Sequence, residues 1–125
     1  MSQRVVAELK SLFSSDFDID DPPQIDLAVG DVWLQAEIGP QNADAREHFQ
    51  FQVTSPERLA TVIEADGPLL VRRIIVANYF HVPTIRSAIE ELCSRTSGTD
   101  WSEVSQRLQR FAASEFEDYQ PWTGQ

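Results

Sequence analysis

The sequence predicts an α+β fold, a mainly antiparallel sheet with about three helices packed on one face. Residues 32–39 and 47–54 alternate apolar with polar side chains, the period of a half-buried strand. Residues 83–97 and 100–112 instead repeat their apolar side chains at helical spacing. Strands come first and helices cluster late, which argues for helices covering one face of a sheet. At 125 residues the chain fits one domain, residues 1–125.

Val5 to Phe13 is compatible with two periods. Val5, Leu9 and Leu12 are spaced as on a helix, whereas Val5, Ala7 and Leu9 alternate, and we read a strand. Asp16 to Pro23 is acidic and ends in two prolines, which remove backbone donors and disfavour helix before them, so it is a loop. Val32, Leu34, Ala36 and Ile38 then alternate with Trp33, Gln35 and Glu37 until Gly39-Pro40. Phe49, Phe51 and Val53 alternate with His48, Gln50 and Gln52, giving the second arm of an antiparallel hairpin with a longish loop.

Ser55-Pro56-Glu57 reads as an N-cap, a proline at the first helical position and an acid in the first turn. A helix over 56–65 should therefore turn Leu59, Val62 and Ile63 inward, and Asp66-Gly67-Pro68 should end it. Residues 69–80, rich in β-branched and apolar types, read as a long central strand, in which Arg72 and Arg73 must face opposite sides. Pro83-Thr84 opens a helix with Ile85, Ala88, Ile89, Leu92 and Cys93 on one stripe, ended by Gly98. Asp100 and Glu103 form a variant capping box for a helix whose inner face is Trp101, Val104, Leu108 and Phe111.

The composition, 42% hydrophobic and 24% charged, is that of a folded protein. Twenty acidic against ten basic residues give a formal charge of -10, which repels phosphate backbones and anionic lipid heads. Nucleic-acid and membrane-surface binding are thereby disfavoured. The same acidity speeds association with a basic protein, or simply maintains solubility. The lone Cys93 allows no internal disulfide, and neither a secretion signal nor an apolar run of membrane-spanning length is seen, so a cytoplasmic location is expected.

No complete catalytic or metal-ligating set is legible. Asp16, Asp18 and Asp20 imitate the start of a calcium loop, but Asp21 and Leu27 stand where that loop needs glycine and a bidentate glutamate. His48 and His81 lack a neighbouring nucleophile signature, and Cys93 lies on an apolar stripe where a thiol is inert. The five glycines are too scattered to cradle phosphate. The expectation is a non-enzyme without metal or cofactor. The segment Glu115-Phe116-Glu117-Asp118-Tyr119-Gln120 mixes acids with aromatics, a composition suited to a basic partner's surface, although Phe116 and Tyr119 could equally dock on the core.

The strand ending Ile38-Gly39-Pro40, the run Phe49 to Pro56, Leu92-Cys93, Asp100-Trp101-Ser102-Glu103-Val104, Leu108 and the closing Glu115 to Gln120 together resemble the immunity protein 8 family of bacterial polymorphic toxin systems. Arg58 and Ser114 stand where that family commonly has tryptophan. The resemblance implies a cytosolic antidote that binds a cognate toxin domain, often a nuclease, and blocks it stoichiometrically without chemistry. Glu115, Phe116, Glu117, Asp118 and Tyr119 are the expected partner-binding residues. The alternative is a small acidic secretion chaperone that binds an effector chain.

Overall fold

A computed structural model describes residues 4–70 and 73–114. Among these, the elements run β1 (Val5–Phe13), β2 (Val32–Pro40), β3 (Glu47–Thr54), α1 (Pro56–Asp66), β4 (Ile74–Val76), α2 (Val82–Ser94), β5 (Ser97–Gly98), α3 (Trp101–Leu108) and β6 (Ala113–Ser114). The sheet order is β4-β3-β2-β1-β5, and β6 also pairs with β3. Only β3 and β4 run parallel. The fold is therefore α+β with a mixed sheet in which antiparallel pairing predominates. No helix among the described residues is long and apolar enough to cross a membrane.

β1 explains its own ambiguous period. Its register with β2 slips between Leu9 and Ser11, so that Leu9 opposes Ile38 and Leu12 opposes Ala36. Strict alternation would put Leu9 and Leu12 on opposite faces, and the extra residue Lys10 turns Leu12 back into the core. The helix-like spacing is thus the trace of a β-bulge. β2 and β3 pair from Val32↔Val53 to Ile38↔Glu47 as the expected hairpin.

One sheet face carries the core. Leu34, Ala36, Ile38, Phe49, Phe51 and Val53 meet Ile85, Ile89 and Cys93 of α2 and Val104 and Leu108 of α3, all buried. Each large side chain contributes roughly 1.5–3 kcal/mol on leaving water. Helix starts follow their local signals. Ser55 Oγ accepts from Arg58 N at 3.0 Å and donates to Leu27 O at 2.9 Å. Asp100 Oδ1 accepts from Glu103 N at 2.9 Å. Gly67, with φ 88°, closes α1 by donating to Ile63 O at 2.7 Å.

Four expectations need correction. Among the described residues of 69–80, the expected long central strand is only the three-residue β4 at the sheet edge, and Arg73 before it is in the left-handed region at φ 64°. The reason is competition for one edge of β3. β4 pairs with Gln52 to Thr54, and β6 takes Phe49 and Gln50 of the same edge. α1 keeps its expected span, but none of its residues is buried and Ile63 is 45% exposed, because the short β4 gives it little sheet to cover. α3 stops at Leu108, where Phe111 N and Ala112 N both donate to the Leu108 carbonyl and turn the chain toward β3. Phe111 is consequently 51% exposed instead of facing inward. α2 likewise ends at Ser94, and Gly98 belongs to β5 instead of ending the helix. Its Ala88 is exposed and Leu92 half-buried.

Candidate partner-binding surface

Glu115, Phe116, Glu117, Asp118 and Tyr119 lie outside the described residues, as does Arg72. The residue before them is held firmly. Ser114 pairs with Phe49 in the β3–β6 ladder, and its hydroxyl donates to Glu47 Oε2. The same carboxylate accepts from Ser105 Oγ at 2.9 Å and from Trp101 Nε1 at 3.0 Å. Trp101 and Ser105 are four apart on α3, so both reach one point. Glu47 is 4% exposed, and these three donors compensate the burial of its polar oxygens. A cleft of about 380 Å³ beside it is lined by Arg46, Ser102 and Gln109 among others.

The sheet face opposite the core is polar with two aromatic exceptions. Residues paired directly across strands share a face. One row therefore runs from Phe13 on β1 through Gln35 and Gln50 to Ala113 on β6. A second row is Ser11, Glu37 and His48, and a third pairs Trp33 with Gln52. None of these side chains is buried; Trp33 is 45% and Phe13 38% exposed. His48 Nε2 donates to Gln35 Oε1 at 2.7 Å, and the His48 and Phe13 rings lie 5.7 Å apart. Glu37 accepts from Ser11 Oγ at 2.7 Å and pairs with Arg46 at 3.4 Å. The Ser11 hydroxyl first, and the Arg46 charge after it, hold the Glu37 carboxyl below its ordinary range despite an opposing effect of burial.

The segment joining β1 to β2 presents acid in an ordered way. Ile19 and Leu27 are buried and Phe17 and Ile25 pack against the core, with Phe17 edge-on to Phe80 at 5.7 Å. The intervening Asp16, Asp18, Asp20, Asp21 and Asp26 are exposed. Asp18 Oδ1 accepts from Asp20 N, and Asp26 Oδ1 from Ala28 N, so the turns are stapled locally. Among the described residues none of these five aspartates pairs with a lysine or arginine, whereas Asp31 accepts from Gln52 Nε2 at 2.7 Å and meets Arg58 at 3.9 Å. No described cluster of His, Cys, Asp or Glu is arranged to hold a metal ion.

The residues weighed for chemistry have structural surroundings. Thr84 Oγ1 donates to the His81 carbonyl at 2.9 Å and so serves the start of α2, although it also lies 3.4 Å from the His81 ring. Burial pushes the Cys93 thiol up to about 12, with the charges of Glu90 and Glu8 adding to it, which leaves it protonated and inert near neutrality. The arrangement suits binding: a polar sheet face bearing aromatics, bounded by acidic chain. Sequence reading missed the Glu47 anchor, although Glu47 stands two residues before Phe49 on the inward phase of the strand expected over 47–54. Trp33 did carry a signal, being a tryptophan on the polar phase of an alternating strand.

Comparison with known proteins fits this arrangement of residues to a family. No curated protein and no solved structure matches the chain. The family model described as immunity protein 8 matches residues 7–119, nearly the whole length, taking in all of β2 to β6 and most of β1. The chain belongs to the immunity protein 8 family.

Proposed function

We propose that this chain is a cytosolic antidote that binds a cognate polymorphic toxin domain and neutralises it by stoichiometric, non-catalytic cover. The observation that carries this reading is the family match over residues 7–119. The formal charge of -10 supports a basic partner surface, of the kind a nuclease uses to hold phosphate. Glu115, Phe116, Glu117, Asp118 and Tyr119 are the proposed partner-binding residues. The Glu47–Ser114 bond supports the assignment, since it anchors the residue from which that segment departs.

Glu117→Lys combined with Asp118→Lys tests the proposal. Folding stability should change by about 1 kcal/mol or less, while protection of cells co-expressing a polymorphic toxin domain from a reading frame adjoining the gene should be lost. Association of the wild-type pair should also slow as salt rises, because exposed charges are screened over about 10 Å at 0.1 M. A double variant that stays folded and still protects would remove the segment from the interface. A wild-type chain that neither binds nor protects against that toxin would overturn the functional reading itself.

A further inference from the structure

We propose that the open sheet face between Phe13, Trp33 and Ala113 is the centre of the toxin-docking surface, and that its occupant is a cationic face of the toxin domain. This deepens the immunity reading and rests on it.

The first ground is exposure. Trp33 and Phe13 lie 45% and 38% exposed on the polar face of a regular sheet, and aromatics of this kind are what interface centres are built from. The second is continuity. The row Phe13, Gln35, Gln50, Ala113 crosses β1, β2, β3 and β6 on one face, and Ala113 is two residues before Glu115. The platform thus leads directly into the segment assigned to the partner above.

The third ground is charge. The chain leaves the sheet at Phe13 and returns at Val32, and between Ser14 and Asp31 it holds six aspartates and no lysine or arginine. Acid therefore enters and leaves the platform beside its aromatic end. In sequence, its other end at Ala113 and Ser114 is followed by Glu115, Glu117 and Asp118, which lie outside the described residues. A partner that fits has lysines and arginines around a centre able to bury aromatic and amide groups. A second copy of this chain would bring acid against acid.

Size separates centre from rim. Three inter-strand spacings of about 4.8 Å by four residues of about 3.3 Å enclose roughly 200 Å², against about 800 Å² per partner in a standard interface. The face is large enough for the energetic centre only, and the described acidic connection between Phe13 and Val32 extends the footprint. The apolar groove of about 470 Å³ between Ile75, Ile89 and Leu92 is a weaker candidate, because Glu91 and Arg95 on its rim already pair with each other at 3.6 Å.

The test uses the full chain and a polymorphic toxin domain taken from a reading frame adjoining its gene as the probe, inactivated in its active site, in calorimetric titrations with melting curves run in parallel. Trp33→Ala should weaken Kd about tenfold or more with little change in melting temperature. Gln50→Arg, a polar-site change that spares the core, should weaken binding in the same sense. Glu91→Ala on the groove should leave Kd unchanged. Wild-type binding that both Trp33→Ala and Gln50→Arg leave intact would overturn the platform alone. Absence of wild-type binding would overturn the immunity reading with it, and a stable wild-type dimer dissociated by Trp33→Ala would assign the face to a second copy instead.

Discussion

Glu47 of β3 and Trp101 of α3, 54 positions apart, are joined by the indole N–H donating to the carboxylate at 3.0 Å. With Ser105 and Ser114 on its other oxygen, Glu47 ties α3 and β6 to the sheet at one buried point. Removing it strands three donors. Glu47→Ala should cost about 2–4 kcal/mol in urea unfolding, and Trp101→Phe, which deletes one donor and trims a ring, about 1–2 kcal/mol. A Glu47→Ala protein as stable as the wild type would show that desolvating the carboxylate cancels its bonds.

Glu37 predicts a pH effect. Its folded pKa lies below the unfolded value of 4.5, so its contribution is present above pH 4.5 and is lost as pH falls through the lowered folded value. Glu37→Gln should flatten stability against pH in that acid window, and Ser11→Ala should do so in the same direction by removing the leading cause. Denaturant midpoints across the acid range measure this. Because the side chain is 38% exposed, the change should be modest.

Cys93 should be silent to thiol reagents in the native protein. Its thiol is raised from 9.0 to about 12, so thiolate is scarce at pH 8 and the sulfur is buried. Ellman's reagent should react with one thiol in urea and essentially none without it. The sign for stability is the opposite of Glu37: the contribution holds below pH 9 and is lost as pH rises toward 12. Rapid native labelling at pH 8 would contradict the buried placement.

Gly39 is required by close approach. A β-carbon there would overlap the Ala45 carbonyl, where the β2–β3 connection folds back on the strand. Gly39→Ala should destabilise by about 1–3 kcal/mol, lowering the melting temperature by several degrees. Gly30→Ala, which meets nothing within 4 Å, should be close to neutral. Equal melting temperatures for the two variants would mean the connection yields freely.

Local chemistry made much of the fold legible. Ser55 and Asp100 cap the helices their spacing announced, and the alternation over β2 and β3 places Leu34 and Phe51 inward and Trp33 and His48 outward. Each outcome depends on residues a few positions apart, which a linear pattern records. The candidate surface was legible in part, through Trp33's phase and the acidic loop from Asp16 to Pro23.

By itself, then, the sequence determined the fold class, the capped helix starts, the hairpin, and an acid excess suited to a basic partner. Only the tertiary structure decided that Leu12 is core, that the described part of residues 69–80 yields three strand residues, that α1 buries nothing, and that Glu47 gathers α3 and β6. Each depends on which strand edge is already occupied or which distant donor reaches a buried carboxyl group. Those are competitions between segments far apart in the chain, and apolar periodicity carries no information about them.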